Sequence, residues 1–202
     1  MKVRNEIPTA ANSSNFHIIP GTATAKTNTL DNLKAAVEGE TGASAKYAAF
    51  SEKAKAEGHN QLARLFAATS AAEQVHIKLE TAEILKKEPG YVAPTAPAVD
   101  PSTTDCNLID GAKGEIHETS DMYPTFIEVA QAEGDEAAVT VFTRAKLAEA
   151  VHAELYLEAY NNIDAEDDDT YYLCPICGYV HKGDDFEKCP ICFAPKAAHQ
   201  KF

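Results

Sequence analysis

Glutamate and histidine recur along this chain in a doubled pattern. Glu40 is followed 33 residues later by Glu73-x-x-His76, and Glu115 is followed 34 residues later by Glu149-x-x-His152. Residues three apart are neighbours on the surface of an α-helix, so each Glu-x-x-His puts both side chains on one face. Two such units, helical and folded together, aim four carboxylates and two imidazoles at one point. The pattern therefore demands four helices packed side by side around a polar centre, and that excludes most other folds.

The sequence between these residues agrees. From Leu30 onward the chain is rich in Ala, Glu, Lys and Leu, all good helix formers. Helices are expected over 30–57, 60–87, 105–132 and 135–163. Asn28, Thr29 or Asp31 can cap the first, Asn60 the second, Thr104 or Asp105 the third and Asp135 the fourth. Gly58 and Gly134 punctuate two short turns. Between the second and third helices, Pro89, Pro94, Pro97 and Pro101 fall within thirteen residues, which predicts an extended crossover.

The two helix pairs are an internal repeat. Gly39-Glu40 aligns with Gly114-Glu115, Tyr47 and Phe50 with Tyr123 and Phe126, and Ala56-Glu57-Gly58 with Ala132-Glu133-Gly134. Phe66 aligns with Phe142, and the stretch Ala72 to His76 with Ala148 to His152. In each antiparallel hairpin the lone Glu and its Glu-x-x-His partner are equidistant from the turn, so they face one another at the same height. The repeat breaks in one place. Glu115 is eight steps from Tyr123 where Glu40 is seven from Tyr47, and Glu118 stands where the first copy has Ala43. One extra residue within a helix predicts a π-bulge.

Leu62, Phe66, Thr69, Glu73, His76 and Leu79 or Glu80 form one stripe. Ala138, Phe142, Ala145, Glu149, His152 and Tyr156 form another. Both follow the spacing of a buried helix face. A buried carboxylate without a partner costs several kcal/mol or more. Four that converge, with no Lys or Arg on these stripes, call for a cation. Carboxylate-rich sites with two imidazoles select iron or manganese, and bridging carboxylates suit a dinuclear centre. One Glu from each of two helices plus Glu-x-x-His from each of two others is the donor set of ferritin-like di-metal bundles.

Four of the five cysteines lie near the C-terminus as Cys174-x-x-Cys177 and Cys189-x-x-Cys192. Two such knuckles eleven residues apart make a tetrahedral tetrathiolate site, and so short a segment needs the metal to fold. Spacing does not separate iron from zinc. Beside a di-metal carboxylate centre, however, a one-electron iron has a role that redox-inert zinc lacks, so iron is expected and zinc is the substitute. Cys106 reads as a spare thiol, and His17, His59, His117, His181 and His199 as surface residues.

These motifs resemble the rubrerythrin family over residues 28–202. The resemblance rests on Gly39-Glu40, residues 72–76, Gly114-Glu115-Ile116-His117-Glu118, residues 122–126, residues 148–152 and Cys174 through His181. It implies a mainly α chain comprising a ferritin-like four-helix bundle with a long crossover between helices 2 and 3 (29–165) and a small β-rich rubredoxin-like domain holding a metal on four cysteines (166–202). Residues 1–28, rich in Asn, Ser, Thr and Pro, read instead as an N-terminal extension longer than the family needs. The resemblance further implies two non-haem irons in the bundle and one iron on Cys174, Cys177, Cys189 and Cys192. In the family's pattern Glu40, Glu73, Glu115 and Glu149 are the shared carboxylate ligands and His152 is a terminal one. Glu118 and His76 exchange on one iron with oxidation state, and Tyr47 and Tyr123 stand behind the ligands. The implied activity is a peroxidase reducing hydrogen peroxide to water, with electrons from NADH through an NADH-dependent reductase and rubredoxin. The implied assembly is a homodimer in which the tetrathiolate iron of one chain serves the bundle of the other. The alternative is a ferroxidase or iron-handling protein, which needs no tetrathiolate. Phe193 departs from the rubredoxin pattern, which has Gly after the last Cys.

The formal net charge of −13 argues against nucleic acid as a partner. No apolar run approaches the roughly 18 residues of a membrane span. The N-terminal residues contain no continuous apolar stretch of the secretory kind, so a cytoplasmic location is expected.

Overall fold

The computed structural model describes residues 28–165 and 168–202. The N-terminal extension with His17 and the acidic pair Glu166-Asp167 lie outside the described residues. The bundle consists of α1 (Thr29–Ala56), α2 (Asn60–Lys87), α3 (Thr104–His117), α4 (Tyr123–Glu133) and α5 (Glu136–Asn161). A π-helical segment, Glu118–Met122, joins α3 to α4, so these two and the π turn form one long third helix. The extra residue of the second repeat is absorbed there, as its spacing predicts. Pro124 is the second residue after it, in the first turn of α4, where a wider turn before it tolerates the missing N–H and the ring better than a regular α-helix does.

Gly58 and Gly134 adopt φ of +87° and +72° at the two hairpin turns, a conformation costly for residues with a Cβ. Residues 88–103 form the extended crossover. No helix among the described residues is long and apolar enough to cross a membrane.

The caps differ in part from expectation. The Asn28 side chain accepts from the Asp31 amide, and Asp135 accepts from the Ala138 amide. The second helix, however, has His59 rather than Asn60 at its N-cap, without a side-chain bond. The third has Thr103 at that position rather than Thr104 or Asp105, also without one. Its first amide is satisfied from a distance: Thr104 N–H donates to Glu57 Oε2 at 2.8 Å. The mirror contact also forms, with Thr29 N–H donating to Glu133 Oε2 at 3.0 Å. Glu57 and Glu133 are repeat equivalents, so the last residues of each hairpin's first helix cap the opposite hairpin. The fourth helix ends at Asn161 instead of 163.

The bundle core is split in two by the polar layer. One apolar cluster contains Tyr47, Phe50, Phe66 and Tyr156, and the other Tyr123, Phe126, Phe142 and Ile84. The repeat supplies the same Tyr-Phe-Phe set to each half. Phe50 and Phe66 meet edge-on at 5.4 Å between centroids, and Phe126 and Phe142 meet at 5.5 Å.

The C-terminal segment forms a three-stranded antiparallel sheet in the order β2 (Val180–Lys182), β1 (Tyr171–Leu173), β3 (Gln200–Lys201). Tyr171, Leu173 and Val180 join the same apolar cluster as Leu155 and Tyr160 of α5. Lys182 Nζ is 2.9 Å from Glu158, and the amide of Gln61 reaches the Tyr171 hydroxyl at 3.1 Å. This small unit is thereby fixed against α2 and α5 of its own chain.

Candidate metal centres

Glu40 comes from α1, Glu73 and His76 from α2, Glu115 from α3, and Glu149 and His152 from α5; all are fully or almost fully buried. They form two overlapping sets whose ligand atoms lie within 4.8 Å of one another: Glu40, Glu73, His76 and Glu149, and Glu73, Glu115, Glu149 and His152. Glu73 and Glu149 belong to both. Glu149 stands between the imidazoles, with Oε1 2.7 Å from His76 Nδ1 and Oε2 2.7 Å from His152 Nδ1.

The outer nitrogens decide the tautomer. His76 Nε2 is 3.1 Å from the Cys177 carbonyl oxygen, and His152 Nε2 is 3.0 Å from that of Gly178. A carbonyl only accepts, so each Nε2 carries a proton and each Nδ1 faces the carboxylates. A neutral Nδ1 lone pair 2.7 Å from a carboxylate oxygen is repulsive, so a cation must stand between them. Without metal, protons do this. Glu149 in particular holds both histidines charged well beyond their ordinary range, against the opposing effect of burial. Burial and then Glu149 push Glu40 up to about 8 and Glu115 up to about 7. Burial acts upward on Glu149 too, but the two imidazoliums outweigh it and hold this carboxyl below its usual range. Several carboxylate oxygens, including both of Glu115, have no hydrogen-bond partner. Deprotonated imidazoles backed by N–H···O=C bonds, with unsatisfied carboxylates opposite, are the donor set that metal ions complete.

Glu118 lies on the π turn, 8% exposed, and belongs to neither set; its Oε2 has no partner. Tyr123 donates its hydroxyl proton to Glu40. Tyr47 packs edge-on to Tyr156 at 5.4 Å, and Tyr156 in turn bonds Thr69 at 2.5 Å.

One further acidic residue was left unassigned by the sequence. Glu80 is fully buried, and its Oε1 is 2.9 Å from the Tyr123 hydroxyl that also reaches Glu40. One phenolic proton cannot serve two carboxylates, so one of the acids must carry a proton of its own. Burial first, then Glu40, pushes Glu80 well above the carboxylate range. Its position on the inward stripe was the available signal, but Leu79 filled that stripe equally well and the repeat offers Tyr156 there rather than an acid.

In the small unit Cys174 Sγ and Cys192 Sγ are 3.4 Å apart, and Cys177 Sγ and Cys189 Sγ 3.5 Å. A tetrahedron with metal–sulfur bonds of about 2.3 Å has edges of roughly 3.8 Å, so the cage is close to closed size. Hydrogen bonding from Cys177 holds the Cys174 thiol down to about 5, while burial pushes Cys189 up to about 11. Four such thiols ionise together only around a metal cation. Gly178 (φ +78°) and Phe193 (φ +63°) follow the two knuckles in the same left-handed conformation, their amides bonded to Cys174 and Cys189 carbonyls at 3.0 Å. A Cβ on Gly178 would sit 2.1 Å from His76 Nε2, so glycine is obligatory there. Phe193 is 68% exposed and bears only the backbone strain. Cys106 is exposed, and none of His59, His117, His181 and His199 joins either cluster.

The resemblance implied a contact between chains. Here the knuckle carrying Cys177 and Gly178 meets the histidines of its own chain, because the sheet behind it is packed onto α2 and α5.

Fold and donor sets together define a ferritin-like di-metal carboxylate protein fused to a rubredoxin-like tetrathiolate unit. The chain belongs to the rubrerythrin family. The family model "Rubrerythrin" matches residues 31–160, and "Rubrerythrin, rubredoxin-like domain" matches residues 172–200. Nigerythrin of Nitratidesulfovibrio vulgaris (strain Hildenborough) is 62% identical over 196 residues, covering 97% of each chain. Rubrerythrin of the same organism is 35% identical, covering 84% of this chain and 91% of the relative. A solved structure of nigerythrin in its fully reduced, all-ferrous state superposes with a TM-score of 0.90 at 59% identity, over 100% of both chains. The buried Glu/His cluster is the di-iron site of this family, and the four-cysteine cluster is its rubredoxin-like iron site.

Proposed function

We propose that this chain is a non-haem di-iron peroxidase that reduces hydrogen peroxide to water and protects against oxidative stress, with electrons delivered through the tetrathiolate iron. The observation that carries this reading is the direct contact of the two centres: the backbone of Cys177 and Gly178 is hydrogen-bonded to His76 and His152, whose other nitrogens face the carboxylates. When bound, the irons supply electrons one at a time from the tetrathiolate and two together to the peroxide O–O bond.

The chain's own residues do the rest. Glu40, Glu73, His76, Glu115, Glu149 and His152 would hold the two irons, with Glu73 and Glu149 serving both. Glu118 and His76 alternate at one position. The grouping of His76 with Glu40, Glu73 and Glu149, leaving Glu118 outside, supports that exchange. Tyr123 orients Glu40 through its hydroxyl, and Tyr47 packs beside the opposite end of the cluster. The electrons come from NADH through an NADH-dependent reductase and rubredoxin, and the working assembly is a homodimer.

Anaerobically reduced protein mixed with peroxide or oxygen tests the reading. Peroxide reoxidises the bundle faster, and the oxidised four-cysteine unit is red. Faster reaction with oxygen, or accumulation of ferric mineral, overturns it in favour of a ferroxidase.

A further inference from the structure

A groove of about 470 Å³ opens beside the carboxylate–histidine cluster and reaches Glu118 and Tyr47. Its floor is Glu118 and Tyr47, its walls are Gly39, Gly42 and Ala43 of α1 and Gly114 of α3, and the crossover residues Pro97 to Asp100 cover one side. A larger cavity of about 760 Å³ near His59 and Asp164 touches none of the metal-binding carboxylates.

The glycines explain the groove. Glycine weakens a helix interior, so its presence there needs a reason. Gly39 and Gly42 lie well inside α1, and a Cβ built on either meets nothing within 4 Å. Close packing therefore does not require them. The residue preceding the metal-binding Glu is glycine in both repeats, Gly39 and Gly114, and both line this same groove. Glu118, which lines the groove, is 8% exposed while the Glu and His of the two ligand sets are at most 1% exposed, and its buried Oε2 has no hydrogen-bond partner. An unsatisfied polar atom thus sits on a residue that lines the groove. Pro97, Ala98, Val99 and Ala43 give it apolar walls that suit the alkyl group of an organic hydroperoxide, while Lys46 and Asp100 line it as well.

We infer that this groove is the port by which hydroperoxides reach the di-metal site, and that it admits small organic hydroperoxides as well as hydrogen peroxide. The inference rests on the peroxidase reading for its substrate, while the port itself is testable with an unreactive probe. In Gly42→Leu the side chain stands in the groove. Azide binding to the diferric protein, followed by its charge-transfer band, is expected to slow about ten-fold. Reoxidation of the reduced protein slows with hydrogen peroxide and more steeply with tert-butyl hydroperoxide, at unchanged iron content. Val99→Phe, which narrows the groove from the crossover, gives the same ordering and covers the case in which Gly42→Leu fails to load iron. Unchanged azide and peroxide rates in an iron-loaded variant overturn the port. Slowed azide binding in a protein whose parent reacts faster with oxygen than with peroxide keeps the port and removes the peroxidase. A parent inert to tert-butyl hydroperoxide removes the organic substrates.

Discussion

His76 and Cys177 are 101 residues apart in sequence and share a hydrogen bond of 3.1 Å between imidazole Nε2 and backbone carbonyl. One partner belongs to the carboxylate cluster and the other to the tetrathiolate, and with the bond from His152 to Gly178 this contact joins the two centres. It exists because Gly178 lets the knuckle approach without a Cβ. Gly178→Ala puts a methyl group into the imidazole and strains a backbone at φ +78°. Electron transfer from the reduced tetrathiolate iron to the bundle is expected to fall at least about ten-fold, since small misplacements weaken such coupling steeply. Stopped-flow bleaching and recovery of the visible iron–thiolate absorption measures it; an unchanged rate means that electrons take another route.

Glu118 stands apart from both ligand sets, on the one turn where the repeat is broken. Glu118→Ala is therefore expected to leave the iron content intact while lowering peroxide turnover about ten-fold or more. Iron analysis alongside steady-state peroxide consumption separates the two effects. Loss of one iron instead makes Glu118 an ordinary structural ligand.

Glu80 is a buried acid whose Oε2 has no partner. Replacing such a group by an apolar residue of similar volume is often stabilising. In Glu80→Leu the Tyr123 proton remains free for Glu40 alone. The metal-free protein is expected to gain about 1–2 kcal/mol, read from urea unfolding at neutral pH. Tyr123→Phe leaves the two acids facing each other and shifts stability the opposite way. A loss in Glu80→Leu means that the carboxyl is needed for packing.

The raised acids set a pH dependence for the metal-free protein. Glu40 at about 8 and Glu115 at about 7 hold protons in the folded state that the unfolded chain releases near 4.5. Their contribution is fully present below about pH 4.5 and is lost as pH rises through 7 to 8. His76 and His152, raised in the fold, act in the same direction, whereas the lowered Glu149 changes stability only below about pH 4.5, outside this window. The melting temperature of the metal-free protein is expected to fall by about 5 °C or more between pH 5 and pH 8. Iron-loaded protein shows no such fall, because the metal binds the deprotonated ligands. A melting temperature that rises over that range in the metal-free protein rules out buried neutral carboxyls.

The doubled Glu and Glu-x-x-His pattern made the bundle legible because helix periodicity and hairpin symmetry both act within short stretches of sequence. The π turn was legible for the same reason, as a count of eight steps against seven. What stayed hidden depends on contacts across the fold. Thr104 is capped by Glu57, 47 residues away, and no local motif announces it. Glu80 was masked by Leu79, because spacings of three and four fit one stripe equally. The seating of Cys177 and Gly178 on the histidines depends on how the sheet packs against α2 and α5, and a Cys-x-x-Cys motif reads the same wherever its unit docks.

Glu57 and Glu133 give the molecule a final property. Each half of the doubled chain carries, at the end of its first helix, the group that completes the start of the other half. A single hairpin cut from its sibling would lack both its cap and its share of the donor atoms. The copies depend on each other at that corner, so the bundle is expected to melt as one unit, and a change in either half there unsettles the other.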